Sequence, residues 1–437
     1  MNRIVIFLII LILSLSNFSS AAEEDIGKSL SFYSVGPFIA ILLAIAILPL
    51  IIPRWWDKNI NKLYISLALG IPVGIYYIYN SPYSVIHTME EYLSFIILLT
   101  SLYIISGGIL LMGDIPSTPA VNTLFLAIGS VLASFIGTTG ASMLLIRPLI
   151  RINSERKYAS HTVIFFIFLV SNIGGCLTPL GDPPLYMGYL RGVPFHWTFK
   201  LFPDWLFIVS LCLLLYFIID SYYWKKEPEI AIKMEKLIRR PLMLFGTKNF
   251  YILVGIILTV AFVPFFPYRE MLMITFAIIA YKITPPAYRR RNDFTYHPII
   301  EVAVLFFGIF LTMIPALDIL LVRGSEFGIT KPWQFFWLTG SLSSLLDNTP
   351  TYLTFLSLAQ GLNLNPEIVG IPEKLLKAIS LGAVFMGANS YIGNGPNFMV
   401  KAIAEERGIK MPSFFGYILY SILILIPLFI LHTIIFI

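Results

Sequence analysis

Gly174-Gly175-Cys176-Leu177-Thr178-Pro179-Leu180-Gly181-Asp182-Pro183-Pro184 interrupts an apolar run that extends over 160–189. A run of that length and character reads as a membrane span, which needs about 20 mostly apolar residues. It cannot be one continuous helix. Pro179, Pro183 and Pro184 each lack an amide N–H and clash with the preceding turn. Open backbone at membrane depth is tolerated only where protein or a water-filled cavity satisfies its polar groups. An aspartate at that depth costs roughly 2.5–3.5 kcal/mol on insertion scales, so Asp182 needs a partner or a task. The stretch predicts a discontinuous membrane helix built around a site.

A second interruption, Gly387-Ala388-Asn389-Ser390-Tyr391-Ile392-Gly393-Asn394-Gly395-Pro396-Asn397, lies inside the apolar run 374–400. Gly181-Asp182-Pro183-Pro184-Leu185-Tyr186-Met187 matches Gly393-Asn394-Gly395-Pro396-Asn397-Phe398-Met399 in its glycine, proline and methionine, with Asp against Asn and Tyr against Phe. Each interrupted helix follows a segment too long for one span and too short for two. These are 119–150, with the tip Gly137-Thr138-Thr139-Gly140-Ala141, and 333–360, with the tip Asp347-Asn348-Thr349-Pro350-Thr351. Gly137 precedes Gly181 by 44 residues and Asp347 precedes Gly393 by 46. The expectation is an internal repeat, each half holding a re-entrant hairpin and a broken helix. Such pairs belong to secondary transporters.

Composition agrees with a membrane chain. Of 437 residues, 57% are hydrophobic and 12% charged, half the charge of an ordinary soluble domain. Further spans are expected at 33–52, 63–79, 92–112, 204–224, 249–266, 268–283, 298–317 and 413–435. The opening residues, with Arg3, an apolar run and Ser20-Ala21-Ala22, read as a signal peptide over 1–22. If both awkward segments enter and leave on one side, 21 of the 30 Lys and Arg lie on the inner side and 8 on the outer. That bias sets the mature N-terminus outside and inverts the second repeat relative to the first. The expected organisation is a first repeat over 23–224, a basic cytoplasmic linker over 225–248 and a second repeat over 249–437. The net charge of +6 is then a topology signal and not a nucleic-acid footprint. Cys176 and Cys212 are read as core residues, because two cysteines in apolar runs make neither a disulfide framework nor a metal motif.

The residues expected to carry function are the polar ones at the breaks and tips. Asp182 and Asp347 stand first, as principal acids at depth and as sodium ligands. Each also has a structural reading. Asp182 before Pro183 can cap a helix, and Asp347 can stabilise its own turn. Thr138, Thr139, Asn172, Thr178, Asn348, Thr349, Asn389, Asn394 and Asn397 add neutral oxygens and amides that suit a dehydrated cation or a polar solute. Glu91 and Glu301 read as helix-dipole partners, and the five histidines as interfacial residues. The run Arg289-Arg290-Arg291 reads as a topology signal and anionic-lipid contact.

The LGDPP run at 180–184, the LDNTP run at 346–350 and the GNGPN run at 393–397, in that order, resemble the ion transporter superfamily. That superfamily holds D-type sodium/proton antiporters, arsenite-permease-like proteins and citrate or dicarboxylate carriers. The likeness covers roughly 90–430 and is nearest a citrate-transport and sodium:proton antiporter subgroup. It implies about eleven helices, with two hairpins and two broken helices enclosing a central site. Thr138-Thr139 and Asp347-Asn348-Thr349 would meet the breaks at Thr178–Asp182 and Asn389–Asn397 there. The sequence departs from the dicarboxylate carriers, whose tips look like Ser-Asn-Thr.

The expected fold class is therefore an all-α polytopic membrane protein of inverted-repeat architecture. The expected function is sodium/proton antiport in a bacterial inner membrane, with Na⁺ or H⁺ as coupling ion and no other cofactor. Cation-coupled transport of citrate or another small organic anion is the alternative. An intramembrane aspartyl enzyme is a remote third: no Gly-x-Gly-Asp precedes Asp182, and zinc-protease and nucleophile-turn motifs are absent, so no enzyme is expected. Expected partners are the lipid bilayer and, by analogy with relatives, a second copy of the chain in a homodimer.

Overall fold

The computed structural model describes residues 26–228 and 240–437. The expected signal peptide and the centre of the basic linker lie outside these residues. Among the described residues, eight helices are long and apolar enough to cross a membrane. The protein is an all-α, multi-pass membrane protein with one small sheet.

Both awkward segments are two helices joined by a short turn. Pro119–Ile136 and Thr138–Ile152 meet at Gly137, whose φ of 80° is open to glycine and strained for other residues. Pro332–Leu345 and Asn348–Gln360 meet at Leu346-Asp347. Both predicted breaks are present as well. Ser160–Leu169 gives way to a 3₁₀ turn at Ile173–Leu177, and helix resumes at Pro183–Leu190. Glu373–Met386 gives way to Gly387–Asn389, and helix resumes at Gly395–Glu406. In both cases proline at the first or second position begins the new helix, where its missing N–H costs nothing.

The chain forms two compact units. The first comprises residues up to 96 together with 296–330 and 353–372. Its frame is the pair Asn59–Asn80 and His297–Arg323. Gly70 and Gly74 on one helix and Gly308 on the other let these helices approach closely, as small residues do in lipid. Tyr77, Val73, Leu311, Ile314 and Ile319 fill the contact. Two polar ties cross the same pair. Lys62 Nζ lies 2.7 Å from Glu301, and Tyr77 donates to Asp318 at 2.7 Å. Glu301, expected to sit as a dipole partner, is thus also the counter-charge of a buried lysine.

The second unit holds 97–295, 331–352 and 373–437, hence both breaks and both tips. It also contains the antiparallel ribbon of β1 (Leu110–Asp114) and β2 (Arg240–Phe245), bulged at Gly113. The ribbon was not expected: β2 lies in the stretch read as a linker. Asn249 donates to Gly108 O at 3.1 Å and Asn292 to Ile109 O at 2.7 Å, which ties the ribbon to the following helices.

A Cβ at Gly308 would lie 2.7 Å from Ser66 Cα, so Gly308→Val must force the helix pair of the first unit apart. Overpacking of this kind costs about 1–3 kcal/mol. Purified Gly308→Val is expected to show a thermal midpoint several degrees below that of the wild type, whereas Gly36→Ala, with open space around it, leaves the midpoint unchanged.

Candidate functional site

Each break leaves backbone groups without helical partners, and short polar side chains from the neighbouring hairpin take their place. In the first break, Ser134 donates to Gly174 O at 2.5 Å and accepts from Leu177 N at 3.1 Å. Thr178 donates to Ser134 O and accepts from Leu180 N at 3.1 Å. In the second, Ser343 donates to Ala383 O at 2.7 Å and Ser344 to Met386 O at 3.0 Å. Ser390 accepts from the Ile392 and Gly393 amides, each at 3.2 Å. Both breaks fold back on a glycine pair six residues apart, Gly175 with Gly181 and Gly387 with Gly393. A Cβ on Gly393 would come to 2.5 Å of Gly387 O, and one on Gly181 would strike Gly175 in the same way.

Asp182 lies at the first break, 1% exposed, in extended backbone just before Pro183. Its carboxylate accepts three side-chain hydrogen bonds from three separate segments. Thr138 Oγ1, at the first tip, donates to Oδ1 at 2.9 Å. Asn394 Nδ2, at the second break, donates to the same oxygen at 3.0 Å. Asn348 Nδ2, at the second tip, donates to Oδ2 at 2.6 Å. The Thr138 amide adds a bond to Gly181 O at 2.8 Å, docking the first tip on the first break. All three side-chain donors are neutral.

Around this carboxylate a second layer joins the two breaks. Asn172 Nδ2 donates to Ile167 O and to Asn397 Oδ1, both at 2.7 Å. Asn397 Nδ2 donates to Gly387 O and Ser390 O at 2.9 Å. Asn394 also donates to Ser171 O at 3.1 Å. Asn389 donates to Ser344 at 2.9 Å. The carbonyl oxygens of Asn172 and Asn389 are buried with no hydrogen-bond partner. Such acceptors are costly to leave unmet.

The remaining expected residues take other places. Asp347 is half-buried and accepts from the Thr349 amide at 2.9 Å, which makes it the cap of its own helix. Thr349 donates to Asn348 Oδ1 at 3.4 Å. Thr139 is half-buried beside Thr138 and is not a partner of Asp182. Thr178 spends its hydroxyl on the break itself.

Asp182 is not alone among buried aspartates. Asp204 and Asp220, near the two ends of Phe202–Trp224, are fully buried, and Asp347 is less so. Asp220 is ion-paired with Arg156 at 2.7 Å and hydrogen-bonded to His161 at 2.8 Å. Asp204 lies 2.8 Å from His432. Two of the five histidines, both near helix ends, are therefore buried partners of aspartates. Acids near the ends of an apolar run look interfacial in sequence, and only the packing of other helices against them reveals the burial.

Asn348→Asp would set two carboxyl groups at hydrogen-bond distance, and such a pair is stable only when it shares a proton. The variant is expected to be less stable than the wild type at about pH 8 and to regain stability as pH falls, because the folded state then binds the extra proton. Asn348→Leu is expected to lose about 1–3 kcal/mol with no such recovery. Thermal unfolding across a pH series separates the two.

The chain matches the family described as "Putative citrate transport" over residues 27–437. A stretch of 72 residues is 35% identical to the P protein of Sus scrofa, covering 16% of this chain and 8% of that protein. The matched stretch thus spans a small part of that relative's length. The family match runs through both hairpins, both breaks and the carboxylate they enclose. The protein is a multi-pass membrane protein that belongs to this family.

Proposed function

We propose that the protein exchanges Na⁺ for H⁺ by alternating access, with Asp182 carrying cation and proton in turn. One observation carries this reading: the Asp182 carboxylate is buried and its three side-chain partners are neutral. A charged carboxylate among such partners has its geometry held but its charge uncancelled, which is expensive inside a membrane. A proton or a bound cation removes the cost, and exchange of one for the other is antiport. Thr138, Asn348 and Asn394 each bring an oxygen that can turn to a hard cation when the donor bond is given up. The unpartnered oxygens of Asn172 and Asn389 add acceptors near the breaks. Asp347, Thr139, Thr178, Thr349 and Asn397 complete the proposed ion- and substrate-binding set, with Asp347 as the second candidate sodium ligand.

Cation-coupled transport of citrate or a similar small organic anion is the second reading, favoured by the family match. Two half-helices, Pro183–Leu190 and Gly395–Glu406, begin beside the site, and helix N-termini attract anions. A carboxylate substrate would meet Asp182 there, so its binding would require Na⁺ or H⁺ on Asp182 first.

Proteoliposomes holding an acid-inside pH gradient test both readings. Antiport predicts that added Na⁺ or Li⁺ collapses the gradient for the wild type and does so at least about tenfold more slowly for Asp182→Asn. Uptake of labelled citrate that depends on Na⁺, with no collapse of the gradient by Na⁺ alone, would favour the second reading. A gradient indifferent to Na⁺ and Li⁺, together with no citrate uptake, would falsify both.

A further inference from the structure

A second group of buried charges sits at the start of the second broken helix. Asp204 Oδ1 lies 2.8 Å from His432 Nε2, and Asp204 Oδ2 lies 2.9 Å from Lys377 Nζ. Three helices thereby meet on one carboxylate: Phe202–Trp224, Glu373–Met386 and Phe414–Phe436.

The two basic partners have unequal surroundings. His432 is fully buried, with the rings of Phe336, Phe385 and Phe436 at 5.5, 5.9 and 5.2 Å, and its Nδ1 has no hydrogen-bond partner. The Lys377 side chain is 28% exposed and passes over the Phe436 ring. The other ionisable neighbours are few. On the helix of Lys377, Glu373 is held by Lys200 at 2.5 Å and by Trp197 at 2.9 Å, and Lys374 is exposed. Cys176, a buried thiol, lies within electrostatic range of Asp204. Pro332–Leu345, which supplies Phe336, has no ionisable side chain, and Phe414–Phe436 otherwise offers Tyr417 and Tyr420.

While His432 is neutral, its Nε2–H donates to Asp204, and the charges of Asp204 and Lys377 cancel. A proton on Nδ1 leaves two cations on one carboxylate. His432 is fully enclosed, whereas Lys377 is partly exposed and can swing outward, so Lys377 is the cation that gives way. We propose that Asp204, His432 and Lys377 form a proton-driven latch. A proton bound at His432 takes Asp204 from Lys377 and loosens the first turns of Glu373–Met386, where Lys200 and Trp197 then hold Glu373 alone; this helix ends at the break carrying Asn389 and Asn394.

The corresponding group in the first half lacks this option. Asp220 precedes His432 by the 212 residues that separate Gly181 from Gly393. Its partners are Arg156, whose side chain is 2% exposed, and His161, with Asn122 at 3.4 Å. No member of that set has solvent to move into, so it is a fixed tie.

Hydrogen–deuterium exchange of the purified full-length protein reads the latch without reference to transport, and so stands or falls apart from the antiport reading. After correction for intrinsic exchange, peptides spanning 373–386 in the wild type are expected to lose protection about threefold or more between about pH 8 and about pH 5.5. His432→Gln keeps a donor toward Asp204 and gains no proton, so its protection should be independent of pH. Lys377→Met should exchange fast at both pH values. A flat wild-type profile overturns the proposal, as does a pH-dependent loss in His432→Gln equal to that of the wild type. If His432→Gln fails to fold, Lys377→Met decides: the wild-type pH response persisting in it also overturns the latch.

Discussion

Peptide groups that cannot reach water must bond to something, and at the two breaks the helix does not supply the partner. The rest of the second unit is arranged around that need. Hairpin serines, with Thr178 and Ser390 of the breaks themselves, bond the opened backbone, glycine pairs let each break fold tightly on itself, and prolines restart the helices without demanding a partner. The hairpins are therefore required by the breaks, because a span running straight past would present apolar side chains to open carbonyls. Satisfying the breaks gathers hydroxyls and amides at one place, and the Asp182 carboxylate sits among them.

That order of causes explains what the sequence made legible. Pro183, Pro184 and Pro396 mark helix starts by their chemistry alone, so both breaks could be placed within a few residues. The two over-long apolar segments could be read as hairpins because their length fits no other crossing. Thr138, Asn348 and Asn394 stood among the candidates as polar groups near the breaks, but nothing local says that all three converge on Asp182. Asp182 and Asp347 look equivalent in sequence, each an aspartate beside Pro or Asn at an interruption. Their difference is tertiary: one is grasped from three directions and the other bonds its own turn.

The ribbon and the His–Asp pairs were beyond reach for related reasons. β1 and β2 are separated by more than a hundred residues, and a six-residue strand bounded by basic sequence looks like linker. Asp204 and Asp220 look interfacial until the helices bearing His432 and His161 pack over them. Pairings between distant residues leave no periodicity to read. In a chain this poor in charge, Asp204 and Asp220 are buried with basic partners, and the buried Asp182, held by three neutral side chains, differs from both.

The wiring of Asp182 also bears on how the protein is made. Thr138 precedes it in the chain, but its other two donors follow it by 166 and 212 residues. A ribosome feeding the chain into the membrane delivers the aspartate long before Asn348 and Asn394 exist. During that interval the first half holds a carboxyl group with one of its three clamps. The insertion machinery must shelter it, or it must stay protonated and loosely placed, until the second half arrives. Assembly of the centre is thereby a late event in biogenesis, and a chain truncated before residue 348 would carry a site begun but never closed.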